Sequence, residues 1–233
     1  MRQIVLDTET TGIGHENGHK IIEIGCVELV NRKLTGKHFH VYLNPQREVD
    51  EGAFKVHGIS TEFLKDKPLF ADILSEMLQF IGGAELIIHN AAFDVGFLNA
   101  ELQHAKWKKK LQDYCNILDT LVLARNKHPG QRNSLDALCK RYDIDNSNRQ
   151  LHGALLDAEI LAHVYLAMTG GQTSLFEETE SMVTAVQSVV KNEKNLQLTN
   201  ALLIKASEEE LTAHDEFIAF LEKKSGTTYW SEG

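Results

Sequence analysis

This chain has little cysteine, no long apolar run, no internal repeat and no surplus of basic residues. Each shortage excludes something. Cys26, Cys115 and Cys139 are odd in number, widely spaced and outside any metal-binding pattern, which suits a reducing cytoplasm rather than export. No apolar run approaches the length needed to cross a bilayer. Met1-Arg2-Gln3-Ile4 leads directly into a strand-like segment, so no secretory leader is expected there. Basic residues are outnumbered, 24 Lys+Arg against 33 Asp+Glu, for a net charge of −9. A protein gripping free nucleic acid by phosphate neutralisation would show the opposite balance. The deficit is uneven. Residues 1–170 hold 19 basic against 22 acidic residues, and residues 171–233 hold 5 against 11. The tail carries most of the acidity.

What is present is ordinary for a globular chain: 233 residues, 42% hydrophobic and 24% charged, enough for one well-buried domain with some chain left over. The first half reads as strands followed by helices. Gln3–Asp7 is a short apolar run, and Lys20–Val30 and Lys37–Leu43 alternate apolar with polar, the strand period. Turn-prone pieces, Gly12–Gly18 and Asn31–Gly36, separate them, so an antiparallel meander is expected. Helical periodicity over Leu69–Ile81 stops at Gly82-Gly83, a glycine stop signal. Glu85–His89 reads as a buried strand, and Ala92–Ala105, Asp119–Asn126, Ser134–Tyr142 and Ala154–Met168 as helices. A meander passing into alternating strand and helix indicates an α/β fold, a mixed sheet with helices packed on it.

Composition shifts at Gly170-Gly171. Beyond it the periodicity is weak until about Leu198. A helix is then expected after Ser207, with Glu210 completing a capping box, an apolar face of Leu211, Phe217, Ile218 and Leu221, and a stop at Gly226. So acidic and short a tail cannot build its own core. It reads as linker plus docking segment.

Three short stretches carry chemistry. In Asp7-Thr8-Glu9 the carboxylates at i and i+2 of a strand share a face, roughly 6.5–7 Å apart, a span that suits one or two metal ions. Taken alone an Asp-x-Glu is more often a polar strand face, but this pair follows a core-like run. Asp94, in His89-Asn90-Ala91-Ala92-Phe93-Asp94, opens a helix, where an acid also serves the helix dipole. His152 and Asp157 lie five residues apart, about 500° around an ideal helix, so they converge only if His152 precedes the helix and Gly153 breaks the chain. Asp157 sits among Leu155, Leu156, Ala158, Ile160 and Leu161, an unfavourable place for an unpaired charge. Four hard oxygen donors and one histidine, with no thiol beside them, favour Mg²⁺ or Mn²⁺ over zinc.

Together Asp7-Thr8-Glu9-Thr10-Thr11-Gly12, His89–Asp94 and His152-Gly153-Ala154-Leu155-Leu156-Asp157-Ala158 resemble the three motifs of the DEDD exonuclease superfamily, histidine branch, in order and spacing. Val56-His57-Gly58-Ile59, Asn133–Cys139 and Ala167–Gln172 extend the likeness to the epsilon, or proofreading, subunits of bacterial DNA polymerase III, over nearly the whole chain. The resemblance implies a ribonuclease-H-like mixed five-stranded sheet with flanking helices, plus a C-terminal linker and docking helix. It implies an exonuclease domain over 1–170, a linker over 171–198 and a polymerase-docking segment over 199–233.

For the site, it implies that Asp7, Glu9, Asp94 and Asp157 hold two divalent ions, Mg²⁺ or Mn²⁺. His152 would be the general base, since an imidazole titrates near neutrality. Asp7, Glu9, Thr10, His57 and Asp157 would contact the single-stranded 3′ end of DNA. The family's acidic residue before the histidine of the His57 segment is replaced here by Gly52, so a contact from that position is not carried over. Gln172-Thr173-Ser174-Leu175-Phe176 resembles a sliding-clamp-binding peptide, with Gln172, Leu175 and Phe176 as anchors. The remaining tail, ending in Tyr229-Trp230, resembles a segment that docks on the polymerase (alpha) subunit, and a small theta-type subunit is a further possible partner. The expected place is the cytoplasmic replisome. The alternative is a free-standing DEDD-type exoribonuclease acting on RNA ends, which would use the same five residues but lack the clamp peptide and docking tail.

Overall fold

Ile4, Val5 and Leu6 are each fully buried, so the strand that carries them is covered on both faces, as central strands are. That strand is β1 (Arg2–Thr10). It pairs antiparallel with β2 (Ile21–Val30), which pairs antiparallel with β3 (Lys33–Tyr42). On its other edge it pairs parallel with β4 (Glu85–Ile88), and β4 with β5 (Asn116–Asp119). The order is β3-β2-β1-β4-β5, a mixed five-stranded sheet. The computed structural model describes residues 1–149, 151–170 and 207–225, divided between two compact units, Met1–Thr173 and Ser174–Gly233.

The meander is present, with one boundary corrected. β3 begins at Lys33, not Lys37, because the β2–β3 connection is two residues long. Asn31 and Arg32 take φ of 49° and 64°, the left-handed pair that a tight hairpin with correctly twisted strands requires. Gly36 lies inside the strand rather than in a turn.

Side chains alternate across the sheet. Ile4 and Leu6 point into a cluster with Ile24 and Cys26, covered by α3 (Phe70–Ile81) and α4 (Ala91–His104). Val5 points the other way, with Val27, Leu29 and Ile87, toward α6 (Leu135–Tyr142) and α7 (Ala154–Thr169). Helix α3 is amphipathic in the expected way, burying Phe70, Ile73, Leu74, Met77, Leu78 and Ile81 at three- and four-residue spacing. Helices α1 (Glu51–His57), α2 (Thr61–Leu64) and α5 (Thr120–Lys127) are the other α-helices described in the first unit. Among the strands and α-helices of the described residues, three lie outside the reading of the residues: α1, α2 and β5. Each is short, and α1 and α2 bury only one residue apiece, His57 and Leu64, so neither shows an apolar period.

Two features bring the carboxylate motifs together. The parallel pairing of β1 with β4 ends at Val5↔Ile87, so Asp7–Thr10 run past the end of β4 into the crevice where α4 begins. Ligands of open α/β sheets bind at such carboxyl ends. Opposite Asp7 in the register stands Gly25. A Cβ built there would lie 2.3 Å from the backbone of Ala154 and Leu155. Glycine thus lets the first turn of α7 rest on the sheet beside Asp7.

In the second unit, α8 (Glu208–Ser225) starts at the expected capping box. Glu210 N–H donates to Ser207 Oγ at 3.2 Å, and Ser207 N–H to Glu210 Oε2 at 2.8 Å. Its Leu211, Phe217 and Phe220 are half exposed or more. The expected stop at Gly226, the linker, the peptide 172–176 and Tyr229-Trp230 lie outside the described residues.

Candidate active site and metal centre

Asp7 and Glu9 share the odd-numbered face of β1, the face covered by α7. Asp157 occupies the first turn of α7, where its N–H bonds Gly153 O at 2.8 Å. His152 stands before the helix, as convergence requires. Glu9, His152 and Asp157 present ligand atoms that all lie within 4.8 Å of one another. Asp94, in the first turn of α4, is reached from the opposite face of β1. Thr8 points to that side and donates from Oγ1 to Asp94 Oδ1 at 2.7 Å. All five residues line one cleft of about 670 Å³, together with Thr8, Arg149, Asp136 and Asn133.

Two groups outside the sequence reading shape this cleft. Asp119, at the end of β5, accepts from the N–H groups of Asn90 and Ala91 and so pins the turn before α4. Asn90 there takes a left-handed φ of 64°. The signal available in sequence was an Asp at the start of an expected helix, and Asp119 does accept from Leu121 N–H as a cap, at 2.8 Å. Arg149 is the second. It forks onto Asp157, Nε to Oδ1 at 2.5 Å and Nη2 to Oδ2 at 2.7 Å. An arginine eight residues before an acid carries no periodic signal, so only the fold reveals the pair.

Buried like charges define the electrostatics. Burial, then the charges of Asp94, Glu9 and Asp157, holds the Asp7 carboxyl well above the ordinary range. Glu9 is pushed from 4.5 to about 8 by burial and then by Asp157, Glu23 and Asp94. Burial also raises Asp94, against the lowering bond from Thr8. Carboxyls so placed ionise together only when a cation joins them. The donors are hard oxygens, and the buried Cys26 and Cys139 are absent from the cleft lining, so the set fits Mg²⁺-type ions.

A stability prediction follows. Folded Glu9 keeps its proton to about pH 8, while unfolded Glu9 releases it near 4.5. Between those values the unfolded chain binds fewer protons, so stability falls as pH rises. Melting in a chelator should therefore occur at progressively lower temperature from about pH 5 to pH 8, and Mg²⁺ should flatten the slope. The Glu9→Gln protein should show a shallower slope in the chelator. Parallel slopes for the two proteins would refute the assignment.

Beside this cleft lies a second pocket of about 410 Å³, sharing Thr8 and Glu9 and lined by Thr10, Gly12, Ile13, Gly52, Val56 and His57. His57 accepts from Ile59 N–H through Nδ1 at 3.0 Å, and its Nε2, buried near the Thr10 backbone, has no hydrogen-bond partner among the described residues. Burial pulls its pKa down. Gly52 also lines this pocket, where it offers no side chain.

The family model described as "RNase_T: Exonuclease" matches residues 4–165. The chain is 55% identical to "DNA polymerase III subunit epsilon" of Salmonella typhimurium, over 98% of this chain and 97% of that protein. It is 52% identical to the protein of that name from Rickettsia prowazekii, over 94% and 96%. Among solved structures it resembles "Exonuclease X in complex with 5' overhanging duplex DNA", with TM-score 0.58, 26% identity, and coverage of 74% of this chain and 95% of that one. The structure described as "3'-end specific recognition of histone mRNA stem-loop by 3'-exonuclease" shares the fold, with TM-score 0.62, 19% identity, and coverage of 72% and 80%. Fold and cleft together define an exonuclease of the ribonuclease-H-like class, whose members use divalent metal ions. The chain belongs to the DNA polymerase III subunit epsilon family, the 3′–5′ exonucleases of that polymerase.

Proposed function

We propose that the chain removes mispaired nucleotides from the 3′ end of a DNA primer by hydrolysis in the carboxylate cleft, inside the DNA polymerase III assembly. One observation carries the site assignment: four carboxylates from three elements, with a histidine at the rim, line one cleft. Asp7, Glu9, Asp94 and Asp157 would hold two divalent ions, Mg²⁺ or Mn²⁺. Bound there, such ions polarise the scissile phosphate and stabilise entering and leaving oxygens. Thr8 orients Asp94 through its 2.7 Å bond. His152, on the accessible side of the cleft, takes the proton from the attacking water. His57 lines the neighbouring pocket, where it would contact the terminal nucleotide, and Thr10 lies beside it. Release of 5′-mononucleotides from single-stranded DNA and from a mispaired primer, dependent on Mg²⁺ or Mn²⁺, tests this reading. Equal or better turnover of RNA ends would favour the exoribonuclease alternative.

The division of labour follows the charge. Residues 1–170 form the exonuclease domain, 171–198 link it, and 199–233 dock on the alpha subunit. α8 presents Leu211, Phe217 and Phe220 at 50% exposure or more, an apolar set that favours burial against a partner. Gln172, Leu175 and Phe176 are assigned to the sliding clamp. A nuclease with net charge −9 grips free DNA weakly, so tethering supplies the local concentration, millimolar for short flexible linkers. Removal of residues 196–233 should leave turnover on single strands unchanged and abolish co-purification with the alpha subunit. Gln172→Ala with Phe176→Ala should weaken clamp binding alone. Retained alpha binding by the truncated chain would place that interface on the catalytic domain. The setting would be the cytoplasmic replisome, and among the described residues no helix is long and apolar enough to cross a membrane.

A further inference from the structure

Among the described residues, Arg149 is the only lysine or arginine that pairs with one of the four cleft carboxylates. Its fork takes both oxygens of Asp157, at 2.5 and 2.7 Å. That is the edge through which a carboxylate meets a cation. Nη1 extends to Asp136 Oδ1 at 2.6 Å, and Nη2 lies 3.2 Å from His152 Nδ1. A guanidinium has only donors, so this last contact requires Nδ1 to accept. A neutral His152 ring so engaged carries its hydrogen on Nε2 and has no lone pair left for a water proton. One side chain thus covers both the carboxylate assigned to the metal and the base assigned to the water.

We propose that Arg149 is a resident counter-ion of the cleft, competing with divalent metal for Asp157 and releasing Asp157 and His152 together when metal binds. This rests on the reading of Asp157 as a metal ligand. Physically, a buried carboxylate ionised without a partner is strongly destabilising, so an ionised Asp157 needs a cation beside it. A divalent ion brings more charge to the same place and is shared by Asp7, Glu9 and Asp94, which Arg149 does not touch. The exchange is feasible because Arg149 lies between α6 and α7, in neither helix, and Asp136, exposed and already bonded, remains as its anchor.

Calorimetric titration of the full chain with Mn²⁺, in the absence of DNA, tests the competition. Arg149→Ala should bind Mn²⁺ about tenfold more tightly or better than wild type. Its melting temperature in a chelator should be lower, and saturating Mn²⁺ should close that gap. Arg149→Lys, with a point charge in place of the fork, should fall between. In wild type, the guanidinium Nε–H resonance of Arg149 should shift when diamagnetic Mg²⁺ is added. Affinity in Arg149→Ala equal to or weaker than wild type, with Asp157→Asn clearly weakened, would overturn the competition while leaving the metal site standing. Undiminished Mn²⁺ affinity in Asp157→Asn would instead remove the metal-ligand reading, and this inference with it.

Discussion

Replacing Asp7 and Glu9 together by alanine is expected to abolish metal-dependent nucleotide release and, in the same protein, to raise the melting temperature measured in a chelator. The two effects have one cause. Asp7 and Glu9 project from one face of β1 toward α7, into a cleft already holding Asp94 and Asp157. Burial and mutual repulsion lift both carboxyls above their ordinary range, so without a cation they make the native state worse. Functional centres commonly carry such a stability cost. With a cation, that cost becomes binding energy. Loss of activity in the double variant with a lowered melting temperature would mean that the substitutions damage the fold. Near-normal activity would end the assignment of this cleft.

The motifs were legible because local rules place them before any tertiary contact is known. Strand alternation puts Asp7 and Glu9 on one face, and they lie there. The five-residue interval from His152 to Asp157 demands a break at Gly153, and α7 begins at Ala154. Ser207 with Glu210 marks the start of α8, and the reciprocal bonds are formed. Other features were invisible for physical reasons. Gly25 is an unremarked residue in an apolar strand until α7 is found resting on it. Asp119 reads as the first residue of the helix expected over Asp119–Asn126, whereas in space it caps that helix and also fixes the turn that aims α4 at the cleft. Arg149 reads as one charge in a polar stretch. Its partner is eight residues away, across a loop and a helix boundary, and no periodicity links them. Nonlocal pairing is what sequence periods cannot encode.

His152→Ala is expected to lower the turnover rate by roughly 10²–10⁴, the usual worth of a positioned general base, while changing metal affinity little. Geometry makes this a real choice, because Glu9, His152 and Asp157 are close enough together to hold one ion. Exposure separates the roles. The carboxylates of Glu9, Asp94 and Asp157 are at most 9% accessible, whereas the His152 side chain is 45% accessible and stands on the loop before α7. Rigid buried donors suit metal ligation, and an imidazole at the open rim suits collecting a proton and passing it to solvent. The distinguishing measurement is the rate as a function of Mg²⁺ concentration. A base mutant shows a lower plateau at an unchanged half-saturating concentration, and excess metal does not rescue it. A ligand mutant shows a shifted half-saturation with recovery of the wild-type plateau. His152→Gln, which keeps a polar group but cannot take the proton, should behave like the alanine variant. Recovery of the wild-type plateau at high Mg²⁺ in either variant would make His152 a ligand and leave the water's proton to one of the carboxylates.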